Sequence, residues 1–126
     1  MGCDSHAHLE VKINGRWEHF QEFDIGRDYE AFSKMSDIVG RGNQKPIANQ
    51  RGLPEDINPL TKLLIEESAE HTYSYLNAKE LTRLTEEYPT WCTSYTEGEA
   101  FRDFLFCYDP TINYFEDYRL VFGFDS

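Results

Sequence analysis

The chain has 126 residues, 40% of them hydrophobic and 15% aromatic, with a formal net charge of −11. Length and composition predict one folded domain, residues 1–126, and exclude a disordered polymer. The charge argues against direct binding of duplex nucleic acid, which needs clustered Lys and Arg. No apolar run reaches the roughly 18 residues of a membrane span, and no basic segment leads into an apolar one as in a signal peptide. Cys3, Cys92 and Cys107 are odd in number and widely spaced, which predicts reduced thiols in the cytoplasm of a host cell.

The opening residues Met1-Gly-Cys-Asp-Ser-His-Ala-His-Leu-Glu10 alternate sharply. In a strand, Asp4, His6, His8 and Glu10 share one face, while Cys3, Ser5, Ala7, Leu9, Val11 and Ile13 share the other. Asn14-Gly15 is a strong two-residue hairpin signal, because a type I′ turn needs positive φ at both central positions. That loop sets Ile13 opposite Arg16, Lys12 opposite Trp17, Glu10 opposite His19 and His8 opposite Gln21. His19 thereby joins the ionisable face; a bulge between it and the turn would remove it.

Asp28 opens a helix to about residue 38, with Tyr29, Phe32 and Met35 at three-residue spacing, stopped by Gly40. Residues 40–52 read as an irregular loop punctuated by glycine, proline and asparagine. Asn58-Pro59 predicts a capped helix to about residue 69, with Leu60, Leu63 and Leu64 as its apolar stripe. Residues 71–76 fit a loop or a short strand. Asn77, with Glu80 three residues on, predicts a capping box and a helix to Tyr88, its Leu81 and Leu84 facing inward. A fourth helix is read at residues 97–107, followed by a turn at Asp109-Pro110. The tail, residues 118–124, reads as a strand with Leu120, Phe122 and Phe124 inward if its other side is solvated. The order predicts an α+β fold: a small, mainly antiparallel sheet, built from the N-terminal hairpin and the C-terminal strand, with about four helices against one face.

Three constellations bear on function. His6 and His8, two apart on a strand, can converge on a divalent metal with Glu10, His19 or His71 as a third ligand. Asp4 and Glu10 lie about 20 Å apart and cannot share one ion. The same alternation equally fits a hydrogen-bonded sheet face. Residues 39–53 form the one basic island: Arg41, Lys45 and Arg51, with no acid. They can hold an anionic ligand, with Trp17, Phe23, Tyr73 or Tyr75 stacking a base. Finally, residues 63–126 carry 13 acids against four bases, a surface suited to a protein partner or simply to solubility. No nucleophile elbow, P-loop or dinucleotide fingerprint is present.

The string Asp4-Ser-His-Ala-His-Leu-Glu10 resembles the first strand of TatD-like and other amidohydrolases, but their barrel needs roughly 200 residues or more. A longer pattern, Met-Gly-Cys-Asp-x-His-x-His-x-Glu-Val-Lys-x-Asn-Gly-x-Trp-Glu-His, resembles a group of small uncharacterised phage and prophage proteins. Arg51-Gly-Leu-Pro-Glu-Asp56, Ser74-Tyr-Leu76 with Glu80, and Leu120-Val-Phe-Gly-Phe-Asp125 are similar to that group too. Ser5 stands where the group has Ile, and Gly123 where it has an aromatic. The resemblance implies an accessory role such as evasion of host defence. The leading expectation is sequestration of a small anionic, nucleotide-derived ligand by His6, His8, Glu10, Trp17, His19, Arg41, Lys45 and Arg51. Alternatives are an acidic inhibitor of a host defence nuclease, of anti-CRISPR or anti-restriction type, and a metal-dependent phosphoester hydrolase using His6 and His8.

Overall fold

The computed structural model describes residues 2–23, 25–36, 42–91, 102–103 and 115–126. Arg41, Cys92, Cys107, the turn at Asp109-Pro110 and nearly all of the helix expected at 97–107 lie outside the described residues. Among the described residues seven elements follow one another: β1 (Asp4–Ile13), β2 (Arg16–Phe23), α1 (Tyr29–Met35), α2 (Pro59–Ser68), β3 (His71–Asn77), α3 (Ala78–Glu87) and β4 (Asp117–Asp125). The strands form one antiparallel sheet in the order β2-β1-β4-β3. The fold is α+β as the sequence predicts, with three helices among the described residues.

The hairpin turns at Asn14 and Gly15, whose φ angles of 52° and 77° are those a type I′ turn demands. The register runs as expected from Ile13↔Arg16 to Glu10↔His19. It then shifts between Leu9 and Glu10, so His8 faces Glu22 rather than Gln21, and Phe20 is the extra residue. The reason is Phe23. Without the shift it would sit opposite His6; with it, Phe23 faces Ala7 and enters the core at 4% exposure. The bulge lies beyond His19, so His19 stays on the ionisable face.

Two expectations are corrected. First, β4 has no solvated side. It sits centrally, and every residue from Tyr118 to Phe124 is buried. Second, helices cover both faces. Phe32 and Met35 of α1 and Leu81 and Leu84 of α3 pack with Ala7, Leu9, Leu120, Phe122 and Phe124. On the opposite face, α2 packs Ile65, with Ala69 beyond its end, against Val121, with Tyr73 and Tyr75 alongside. The inward residues of α2 are therefore Thr61 and Ile65, and Leu60 and Leu63 face solvent. A larger inward stripe has no room there, because α2 lies over a face already filled by charged and aromatic side chains.

Each helix start is capped as the sequence reads. The Asn58 side chain accepts from the backbone N–H of Leu60 and Thr61, and Asn77 and Glu80 close a reciprocal capping box. Residues 42–50 have no regular structure but are tied down: Gln44 N–H donates to Ser33 Oγ and Ile47 N–H to the Lys34 carbonyl.

Candidate functional site

The ionisable face of β1 resolves into three neighbouring groups. At one end, His6 Nε2 lies 2.9 Å from Asp125 Oδ2, and Arg27 grips Asp4 through its Nε at 2.7 Å. The Arg27 hydrogen bond holds the Asp4 carboxyl below its ordinary range.

In the middle, His8 Nδ1 lies 2.9 Å from His19 Nε2, the two imidazoles sharing one proton as donor and acceptor. His8 is buried, and its Nε2 has no hydrogen-bond partner among the described residues. Burial, followed by the neighbouring His19 and His6, lowers its pKa to about 4, so His8 is neutral near pH 7.

At the far end, Glu10 is fully buried beneath the N-terminus of α2. It accepts from Arg119 Nε at 2.8 Å and from the Asn58 backbone N–H at 2.9 Å. Arg119 in turn donates to Asp56 at 2.8 Å. Its guanidinium lies 4.0 Å from the Trp17 ring centroid and 5.9 Å from that of Tyr75. Arg51 packs over Tyr75 at 4.3 Å. Trp17, Arg119, Tyr75 and Arg51 thus make a ladder of alternating rings and guanidinium groups. Arg51 is further held by the Tyr75 carbonyl and by Glu80.

Two open clefts flank Asp56. One, of about 400 Å³, is lined by Trp17, Glu18, Asp56, Asn58 and Pro59, with Gly15, Arg16 and Ile57. The other, of about 470 Å³, is lined by Arg51, Leu53, Pro54, Glu55, Asp56 and Tyr75. Hydrogen bonding from Arg119, and to a lesser degree from Trp17, keeps the Asp56 carboxyl below its ordinary pKa. The carboxylate that the two clefts share is therefore ionised and matched to Arg119.

The residues singled out from sequence are only partly gathered. His8, His19 and Glu10 share a face, and Trp17 and Arg51 reach it through Arg119 and Tyr75. Lys45 is exposed on the loop, and Arg41 lies outside the described residues. His71 bonds to Thr72 and Ser126 rather than to the β1 histidines. Among the described residues, no three His, Cys, Asp or Glu side chains are grouped to hold a metal ion. The expected convergence of His6 and His8 on one ion gives way to two separate pairs, His6 with Asp125 and His8 with His19.

Sequence reasoning missed Arg119, Asp56 and Asn58 as members of this network. The available signal was Arg119 itself, one cation between Tyr118 and Leu120, which a buried strand tolerates only with an acid opposite. Segments far apart in sequence also meet here. Glu10 and Asp56 both hold Arg119, Arg51 reaches Glu80 and its N–H donates to Ser74 Oγ, and His6 meets Asp125.

Comparison with protein-family models, with curated proteins and with solved structures finds no match to this chain. Among the described residues, no helix is long and apolar enough to cross a membrane.

Proposed function

We propose that the protein acts by binding, as an acidic phage-type inhibitor of a host defence nuclease. One observation carries this reading: Arg27, Arg51, Arg83 and Arg119 are each matched to a carboxylate. Their charge is spent within the molecule, and the acid excess is what the surface presents. A nuclease groove selects negative charge for its phosphate substrate, and a carboxylate-rich surface competes for that groove. The test is cleavage of DNA by purified CRISPR and restriction nucleases with the protein added. Stoichiometric inhibition of one of them, weakening as salt rises, is the expected result. Unchanged cleavage by every nuclease tried removes the reading.

A second reading keeps the small anionic ligand, because Arg51 and Tyr75 line a cleft of about 470 Å³ with a guanidinium stacked on a ring. Glu55 and Asp56 in the same cleft, and Glu80 on Arg51, work against phosphate. Isothermal titration with cyclic nucleotides and ADP-ribose derivatives decides between the two. Saturable heat restores the ligand reading.

A further inference from the structure

We infer that Asn14-Gly15 is a site of spontaneous modification, where the asparagine loses ammonia and becomes aspartate or isoaspartate, and that Glu116 is the latch that sets its rate. The site is independent of the binding reading above.

The chemistry starts from residue types. Asn14-Gly15 is the one Asn-Gly step in the chain; Asn43, Asn49, Asn58, Asn77 and Asn113 precede Gln, Gln, Pro, Ala and Tyr. In the reaction the Gly15 backbone nitrogen gives up its proton to solvent base and attacks Asn14 Cγ. A C–N bond forms and closes a five-membered imide. The bond from Cγ to the side-chain nitrogen breaks, and that nitrogen takes up a proton and leaves as ammonia. Water then opens the imide. Opening at the side-chain carbonyl gives aspartate, and opening at the backbone carbonyl gives isoaspartate. Either way a neutral amide becomes a carboxylate.

Access favours the step. A side chain on the following residue crowds the attacking nitrogen, and glycine has none. Asn14 and Gly15 are both exposed, and nothing lies within 4 Å of where a Gly15 Cβ would stand. Water and base therefore reach the turn.

The fold holds the step back. Asn14 has a φ of 52°, and a type I′ turn sets ψ at this position to about 30°. At that ψ the Gly15 nitrogen points away from the Asn14 side chain, so the ring closes only when the turn opens. The Gly15 N–H donates to Glu116 Oε1 at 3.2 Å, and the Glu116 N–H donates to the Lys12 carbonyl at 2.7 Å. Glu116, one residue before β4, thus ties the attacking nitrogen to the base of the hairpin and keeps the turn shut.

The product changes the structure around it. Isoaspartate carries the backbone through Cγ, which lengthens the loop by one bond. A two-residue type I′ loop has no slack, and the turn sets the register of the hairpin. The pairs Ile13↔Arg16 and Lys12↔Trp17 stand next to the turn and take the strain first. Gly15, Arg16 and Trp17 line the cleft of about 400 Å³ beside Asp56, so the modification remodels that cleft.

The experiment is ageing of the full chain at physiological temperature and pH, followed by peptide mapping with electron-transfer fragmentation, which separates aspartate from isoaspartate. Asn14 should convert ahead of every other asparagine, and the free octapeptide of residues 11–18 should convert faster than the folded chain. Glu116→Ala should speed conversion of the folded chain about threefold, the usual worth of one exposed hydrogen bond. Glu116→Gln, which still offers an acceptor, should speed it less, and Glu86→Ala, an acid removed from α3, should leave it unchanged. In NMR spectra the Trp17 indole N–H should move as conversion proceeds, measured against that of Trp91, which is fully buried. Three results overturn the inference. One is an intact Asn14 in both the wild type and Glu116→Ala once the octapeptide has reacted fully. Another is a rate in Glu116→Ala no greater than in the wild type. The third is full conversion with the Trp17 indole unmoved.

Discussion

Along β1 the odd-numbered residues Ala7, Leu9 and Val11 meet α1 and α3, and the even-numbered His6, His8 and Glu10 lie on the face that α2 covers. Both faces are buried, but different physics holds each. The apolar face needs only shape and volume, since its contacts are non-directional. The polar face needs partners, since each buried charge or imidazole must find a donor or acceptor. A partner missing on that face therefore costs as much as a cavity on the other.

The comparison can be broken most forcefully with one truncation on each face. Phe122→Ala should cost about 3–5 kcal/mol through the cavity left in the packed core. Glu10→Leu should cost a similar 3–5 kcal/mol, because Arg119 is left buried without its carboxylate. The difference is in repair. Adding Arg119→Met to Glu10→Leu should recover much of the loss, because Asp56 is exposed enough to be hydrated once released. Recovery should stop short of wild type by about 1 kcal/mol, the hydrogen bond that the Asn58 N–H gave to Glu10. Urea denaturation of the three variants measures this, and a double variant as unstable as the sum of the singles would refute the pairing.

Acid separates the faces next. With its folded pKa lowered to about 4, His8 stays neutral in the folded chain while the unfolded chain takes up a proton below about 6.5. The unfolded state binds more protons in that window, so stability falls as pH drops from about 6.5 to 4, by about 3 kcal/mol. Above the window the contribution is constant. Asp4 and Asp56, whose pKa values are lowered, contribute stability that is lost only at more acid pH. Denaturation midpoints at pH 7.0 and 5.0 should therefore converge in His8→Gln and differ in the wild type. Equal pH dependence in both chains would remove His8 as the cause.

How far this was legible in sequence follows from the same contrast. The alternation in β1, the Asn14-Gly15 turn and the caps at Asn58 and Asn77 are local signals, and each specifies its element without help from the rest of the chain. The placement of His19 opposite Glu10 followed from the turn alone. The bulge did not, because it answers to Phe23 reaching a core that exists only in the assembled fold. Arg119 was missed because its partner is 109 residues away, across a strand pairing that no short-range pattern encodes. The stripe on α2 misled for a related reason. A helix settles on the surface offered to it, and this surface was charged.

Gly123 sharpens the comparison at a finer scale. It faces His6 across the β1–β4 ladder, on the α2 face. A Cβ there would lie 2.7 Å from Ala69 Cβ and 2.9 Å from Tyr73 Cδ1. A larger side chain has no room, because Tyr73 already fills the space. Gly123→Ala should therefore destabilise by about 1–3 kcal/mol through overpacking. Adding Ala69→Gly should return part of that loss, a coupling readable in a thermal double-mutant cycle. Strict additivity would place the strain elsewhere.

The smallest expected difference lies between two asparagine caps. Asn77 caps α3 at the surface, and its bonds with Glu80 stay within one turn. Asn77→Ala should cost about 1 kcal/mol, the usual worth of an N-cap. Asn58 caps α2 in the same way, but its side-chain amide also donates to the Trp17 carbonyl at 3.1 Å. Its backbone N–H, two residues after Asp56, holds Glu10 as well. Asn58→Ala should cost about 2 kcal/mol, one further hydrogen bond than Asn77→Ala. The two variants should also differ in kind. Asn77→Ala should leave Trp17 fluorescence unchanged, whereas Asn58→Ala frees the β2 carbonyl beside the indole and should shift its emission. If the two caps cost the same and both leave emission unmoved, the strut from α2 to β2 carries no weight, and the polar face is held by Glu10 and Arg119 alone.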